Sequence, residues 1–129
     1  MKLLLDTHVL LALAELGSIL LPDKMLAAVS EPSAQLHVSV WSLWEIAIKV
    51  RSGKLNVGIP LAELPSLCDS ASAVLIEIRA EHVLTELAQA PNTRDPFDRL
   101  FLAQAQVEGC KLVTLDRALA DHPLAWRRN

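Results

Sequence analysis

Met1-Lys-Leu-Leu-Leu-Asp6-Thr-His-Val-Leu-Leu-Ala-Leu-Ala14 is the stretch whose reading decides the fold. Three successive leucines closed by a carboxylate read as a short buried strand over residues 2–6. The run His8 to Ala14 is apolar over helical length, so a helix is expected over residues 7–16, stopped near Gly17.

The same alternation continues down the chain. Pro22 and Asp23 suit the start of a second helix reaching about Ser30, with Pro32 beyond it. Leu36 to Ser39 is a second strand, and residues 41–51 form a third helix ended by Gly53. A loop runs from Gly53 to Pro60, a short helix covers 61–70, and Ala73 to Ile78 alternates as a strand. Residues 80–90 are expected to be helical, followed by the loop Pro91-Asn-Thr-Arg94. A helix over 96–109 starts at Pro96 and ends at Gly109; residues 111–115 make a strand, and a last short helix follows Asp116. Strands separated by helices of this length imply a parallel sheet covered on both faces, a three-layer α/β/α domain spanning residues 1–129.

Composition narrows the functions. Apolar residues make up 52% of the 129 and charged residues 21%, an apolar balance that hints at a buried partner face. The net charge of −3 argues against extended binding of a phosphate backbone by protein cations alone. Positive charge is local, at Lys49, Arg51 and Lys54, at Arg94 and Arg99, and at Arg127 and Arg128. Cys68 and Cys110 lack metal-site spacing and read as small buried hydrophobes in a reducing compartment. Asp6 ends the first apolar run too early for a signal peptide, and no stretch approaches the roughly 18 apolar residues of a membrane span. A cytoplasmic protein without membrane contact is expected.

Four acids stand at the edges of apolar elements: Asp6, Glu45, Asp98 and Asp116. In an open parallel sheet the site lies outside the carboxyl ends of the strands. Asp6 and Asp116 occupy such ends, while Glu45 and Asp98 are expected in the first turns of helices facing the same rim. Gathered carboxylates repel one another and resist desolvation unless a cation joins them, and hard oxygen ligands suit Mg²⁺ or Mn²⁺. That pattern points to metal-assisted phosphodiester chemistry.

Each acid also has a plainer role open to it. Asp6 and Asp116 can cap the helices that follow them. Ser42-Leu-Trp-Glu45 fits a capping box, and Glu45 can pair with Lys49 one turn on. Asp98 can serve as a helix-dipole acid, and Asp95 before Pro96 reads as a helix cap. Against the capping box, Ser42, Glu45, Lys49 and Ser52 form one narrow polar stripe on an apolar helix, as if lining a cleft. His8, His37, His82 and His122 show no ligand spacing, and Ser39, Ser42 and Thr114 no nucleophile elbow. Trp41, Trp44 and Trp126 can stack RNA bases or anchor the core.

Leu4-Leu-Asp-Thr-His-Val-Leu-Leu11, Trp44-Glu-Ile-Ala-Ile-Lys49 with Gly53-Lys-Leu55, Asp95-Pro-Phe-Asp-Arg-Leu-Phe-Leu-Ala-Gln-Ala105 and Leu112-Val-Thr-Leu-Asp116 together resemble the PIN domain, and more narrowly VapC-type toxins of toxin–antitoxin pairs. The resemblance runs from about residue 3 to residue 126. It implies a Mg²⁺- or Mn²⁺-dependent endoribonuclease with Asp6, Glu45, Asp98 and Asp116 as catalytic, metal-site acids. It also implies an RNA substrate, a homodimer or toxin–antitoxin hetero-oligomer, and a cognate antitoxin. An exposed groove for that antitoxin is expected at Met25, Leu26, Val29, Trp41 and Trp44. The tract Ala90 to Arg94 departs from similar proteins, which often carry a His ahead of the Asp-Pro-Phe-Asp block.

Three rival readings stand beside this one. An RNA-processing PIN nuclease without antitoxin would share the site. A silent binding module would not need all four acids. An aspartate-based phosphoryl switch or phosphatase would want a second acid near Asp6, and a haloacid-dehalogenase-like enzyme would want Asp where His8 stands.

Overall fold

A computed structural model describes residues 1–16 and 19–127; Gly17 and Arg128 lie outside the described residues. Four strands make one sheet: β1 Lys2–Leu5, β2 Gln35–Ser39, β3 Val74–Ile76 and β4 Lys111–Val113. Their order across the sheet is β3-β2-β1-β4, and every pairing is parallel. The helices are α1 Thr7–Leu13, α2 Asp23–Ser30, α3 Val40–Arg51, α4 Leu64–Ser70, α5 Ala80–Leu84 and α6 Pro96–Glu108.

The three leucines of β1 show why the sheet needs two covers. Successive side chains of a strand point to opposite faces. Leu3 and Leu5 enter a core with Leu36, Val38 and Val113, roofed by Val9 and Leu10 of α1, Met25 and Val29 of α2, Ile46 of α3 and Leu64 of α4. Leu4 points the other way, with Leu112, into a core closed by Trp41, Phe101, Leu102 and Leu119. All three leucines are fully buried. The expected three-layer α/β/α architecture is the observed one. The segment after residue 123 lies beside β4: Leu112 N donates to Leu124 O at 2.8 Å, and Trp126 N donates to Leu112 O at 2.8 Å.

The long helix α6 has the bounds its sequence announces. Asp95 caps it, accepting from Phe97 N at 2.9 Å, with Pro96 following. Gly109, at φ 69°, ends it in the left-handed conformation that costs glycine nothing. Cys68 and Cys110 are free and buried, and no described helix is long and apolar enough to cross a membrane.

Several expected elements are shorter. Helix α5 stops at Leu84 rather than continuing to residue 90. Beyond it, side chains of α6 take the backbone groups that a helix would have used. Arg99 Nη2 donates to Thr85 O at 3.3 Å, Gln106 Nε2 donates to Glu86 O at 2.9 Å, and Ala88 N donates to Gln106 Oε1 at 3.0 Å. The strand expected over 73–78 is β3, three residues long; beyond it the Glu77 carbonyl accepts from Gln104. After Asp116 the chain makes turns instead of a short helix, and residues 61–63 form a 3₁₀ turn ahead of α4. The capping box at Ser42 and Glu45 is absent. Ser39 is the cap of α3, accepting from Trp41 N at 3.1 Å, so Ser42 and Glu45 lie inside the helix.

Candidate active site

Asp6 ties the carboxyl ends of β1 and β4 together. It follows β1 directly, and its Oδ1 accepts from Val9 N at 2.8 Å, capping α1. Its Oδ2 accepts from Thr114 Oγ1 at 2.5 Å and from Leu115 N at 3.3 Å, just past β4. The cap role and the rim position therefore belong to one side chain. Burial pushes the Asp6 carboxyl above its ordinary range, and the donors Thr114, Val9 and Leu115, with the charge of His8, pull it partly back.

Thr7, the next residue, reaches α3. Its Oγ1 donates to Glu45 Oε1 at 2.7 Å and shares a hydrogen bond with Ser42 Oγ at 3.0 Å. Lys49 Nζ donates to Glu45 Oε2 at 2.8 Å, the expected pairing one turn apart. Burial alone would raise Glu45, but Lys49 and Thr7 outweigh it and hold the carboxyl below the usual range. Of the expected polar stripe, Glu45 reaches the cleft, Ser42 is buried behind it and Ser52 turns back to the Lys49 carbonyl.

Asp98, in the first turn of α6, has the most displaced titration, pushed up to about 6. Desolvation is the main cause, followed by the charges of Asp95 and Asp116, with a hydrogen bond from Thr93 acting in the opposite sense. Asp116 lies beyond β4; its backbone N donates to Thr114 Oγ1 at 3.0 Å, and its Oδ1 accepts from Ala118 N at 2.9 Å.

These groups surround one cleft of about 200 Å³. Asp6, Glu45, Asp98 and Asp116 all line it, so residues up to 110 positions apart in the chain share one rim. Trp41, Phe97, Phe101 and Leu119 supply apolar wall. Asp95, read as a cap, is both a cap and a fifth acid of the cleft. His8 and Thr7 also line it. Ligand spacing does not single out His8; its place directly after Asp6 and Thr7 is the signal the sequence carries. The remaining histidines serve the fold: His37 Nδ1 lies 3.3 Å from Leu3 O, buried His82 accepts from Arg79 N, and His122 meets Gln89 O at 2.8 Å.

The donor set fits a hard divalent cation. Every acid offers carboxylate oxygens, and the raised pKa of Asp98 reflects first desolvation and then the charges of Asp95 and Asp116, both of which a cation would offset. Asp6 has three donors for about four lone-pair sites, leaving capacity free. Among the described residues the acids ring the cleft without three of them already gathered as a cage.

An all-parallel sheet with helices on both faces and carboxylates from separate elements around its rim defines a class of acid-centred α/β/α domain. The PIN domain family model matches residues 3–123, and the chain belongs to that family. PIN domains are generally nucleases that use divalent metals. Among solved structures, the chain is similar to one described as a toxin-antitoxin complex from Klebsiella pneumoniae: 16% identity over 98% of this chain and 97% of that one, with a TM-score of 0.60. At that identity the likeness speaks to the fold. No curated protein matches.

Proposed function

We propose that this chain, a single PIN domain over residues 1–129, is a divalent-metal-dependent endoribonuclease and the toxin of a toxin–antitoxin pair acting in the cytoplasm. The observation that carries the nuclease reading is the convergence of Asp6, Glu45, Asp98 and Asp116 on one cleft, with Asp98 titrating near 6. The toxin reading draws support from the full-length likeness to a chain solved within a toxin–antitoxin complex.

Asp6, Asp98 and Asp116 would hold Mg²⁺ or Mn²⁺, with Glu45 beside them. When bound, such an ion lowers the pKa of a coordinated water and offsets charge on the phosphate and leaving oxygens. Glu45 is ionised at neutral pH and clamped at both oxygens by Thr7 and Lys49, so its place is to orient the attacking water. Buried Trp41, Phe101 and Leu119 back one side of the cleft, while Asp95, Phe97 and Asp116 face solvent. As the family resemblance implies, water would form the new O–P bond while the P–O3′ bond breaks, leaving a 5′-phosphate and a 3′-hydroxyl.

For the antitoxin, the expected groove needs amendment. Met25, Val29 and Trp41 are buried in the cores, leaving Leu26 and Trp44 exposed. Trp44 and Ile48 on α3, with Val83 and Leu84 on α5, are among the large exposed apolar residues that a homodimer or hetero-oligomer contact could cover. The deciding experiment is cleavage of a mixed RNA pool with and without Mg²⁺ or Mn²⁺, followed by mapping of the ends. Metal-dependent fragments with 5′-phosphates are expected; no cleavage under any divalent ion would overturn the nuclease reading.

A further inference from the structure

The apolar wall of the cleft contains more than packing. Trp41, in the first turn of α3, lies flat on Phe97 of α6, with ring centroids 3.7 Å apart and planes 5° from parallel. Trp44 sets its edge against Trp41 at 5.3 Å and 89°. Free aromatic pairs favour offset or edge-on arrangements, so this flat pairing is imposed by two helix starts. Trp41 is 5% exposed, and its indole N–H is buried with no acceptor among the described residues. An orphaned donor makes tryptophan a poor core filler, since a purely apolar side chain would avoid the loss. A broad, rigid ring backing is what Trp41 adds.

Phe97 remains 42% exposed although one face is covered by the indole. It lines the acidic cleft and also the adjoining groove of about 260 Å³, with Val83, Pro96, Arg99 and Leu100. We propose that the open face of Phe97 is a base-stacking subsite for single-stranded RNA, where the base next to the scissile phosphate completes a Trp41–Phe97–base stack. This rests on the nuclease reading above. Phe97 belongs to both cavities, so a strand threaded past the carboxylates meets its ring at once. Arg99 supplies a cation for the flanking phosphate. Its partners are the Thr85 carbonyl and a highly exposed Glu86 carboxylate 4.0 Å away, both replaceable. Stacking on a ring is tolerant of base identity, because every base has a π-face.

The test uses the chain carrying Asp98→Asn, so that bound RNA is not consumed. Tryptophan emission is titrated with an oligouridylate and with a ribose-phosphate oligomer of equal length lacking bases, with and without Phe97→Leu or Phe97→Tyr. Phe97→Leu should weaken oligouridylate binding by about 10-fold, Phe97→Tyr should hold it within about 3-fold, and the abasic oligomer should bind all three alike. Unchanged oligouridylate affinity in Phe97→Leu overturns the subsite. So does equal weakening of both oligomers, or a changed sedimentation mass with RNA affinity intact, which would mark the face as a protein contact. If the Asp98→Asn chain binds neither oligomer, the subsite falls; the nuclease reading falls with it only if the unaltered chain also leaves the mixed RNA pool intact.

Discussion

Thr114 gives its single hydroxyl proton to Asp6 Oδ2 at 2.5 Å, across 108 positions of sequence. Its oxygen also accepts from the backbone N–H of Asp116 at 3.0 Å, so one side chain sets the positions of two candidate metal-site acids. Thr114→Val keeps the shape and removes the donor, leaving a buried carboxylate oxygen with only the Leu115 N–H. The loss should be about 1–3 kcal/mol at neutral pH, read as a lower denaturant midpoint. Because the hydroxyl stabilises the ionised form, the difference should shrink as pH falls through the carboxylate range. A pH-independent loss would mean that Thr114 matters only for packing.

Asp98 ties stability to pH in a direction opposite to most carboxylates. Its folded pKa of about 6 lies above the ordinary 3.8, so the folded chain holds a proton that the unfolded chain has released between those values. The contribution is fully present below the ordinary value and is lost as pH rises through about 6. Asp98→Asn removes this dependence. The metal-free variant should melt at or above the parent at neutral pH, with the advantage gone near the acid end, and should not cleave RNA. A parent and variant with identical pH slopes would place the titration elsewhere.

Glu45→Gln separates the role of the charge from the role of the shape. Glutamine can still meet the Thr7 hydroxyl but offers Lys49 no charge. Activity should drop by about 10²–10⁴-fold, the scale of a positioned acid–base group, with the melting temperature little changed. Activity within a few-fold of the parent would assign Glu45 to helix pairing alone.

Under the proposed function, divalent ions would bind the assembled acids and not the open chain, and would stabilise the fold by mass action. At a concentration 100 times the Kd the gain is about 2.7 kcal/mol. A Mn²⁺-induced thermal shift should therefore appear in the parent and vanish in an Asp6→Asn, Asp98→Asn chain. A shift of equal size in both would point to ions bound away from this cleft.

Inhibition by an antitoxin has a direct physical route if the partner lays an Arg in the acidic cleft, since a guanidinium bridges two carboxylates and competes with metal for their oxygens. Bound antitoxin should then weaken Mn²⁺ affinity, and excess Mn²⁺ should weaken the antitoxin reciprocally. Calorimetric titrations in both orders would show it; independent affinities would remove the competition while leaving the nuclease reading intact.

What the sequence determined by itself is local. Leu3-Leu-Leu5 and Leu112-Val113 are strands because runs without a polar face can only be buried on both sides of a parallel sheet. Asp95-Pro96 and Gly109 bound α6 because a cap, a fixed φ and a positive φ of 69° act within a turn or two. Asp6, Asp98 and Asp116 were legible as a set, because strand ends and helix starts share one rim in such a sheet, whereas Glu45, expected in a first turn, reaches that rim from the second turn of α3. Only the tertiary structure decided how each acid is held. The clamp on Glu45 by Thr7, the bond from Thr114 to Asp6 and the entry of Asp95 and His8 into the cleft all depend on separate elements packing side by side. The same holds for the end of α5, where Arg99 and Gln106 claim the backbone carbonyls that periodicity alone would assign to a helix, and for Trp41 and Trp44, three positions apart yet one buried and the other exposed. Periodicity encodes which face of an element is apolar, but the partner of a hydrogen bond is set by distances in space, and those exist only once the sheet has brought its layers together.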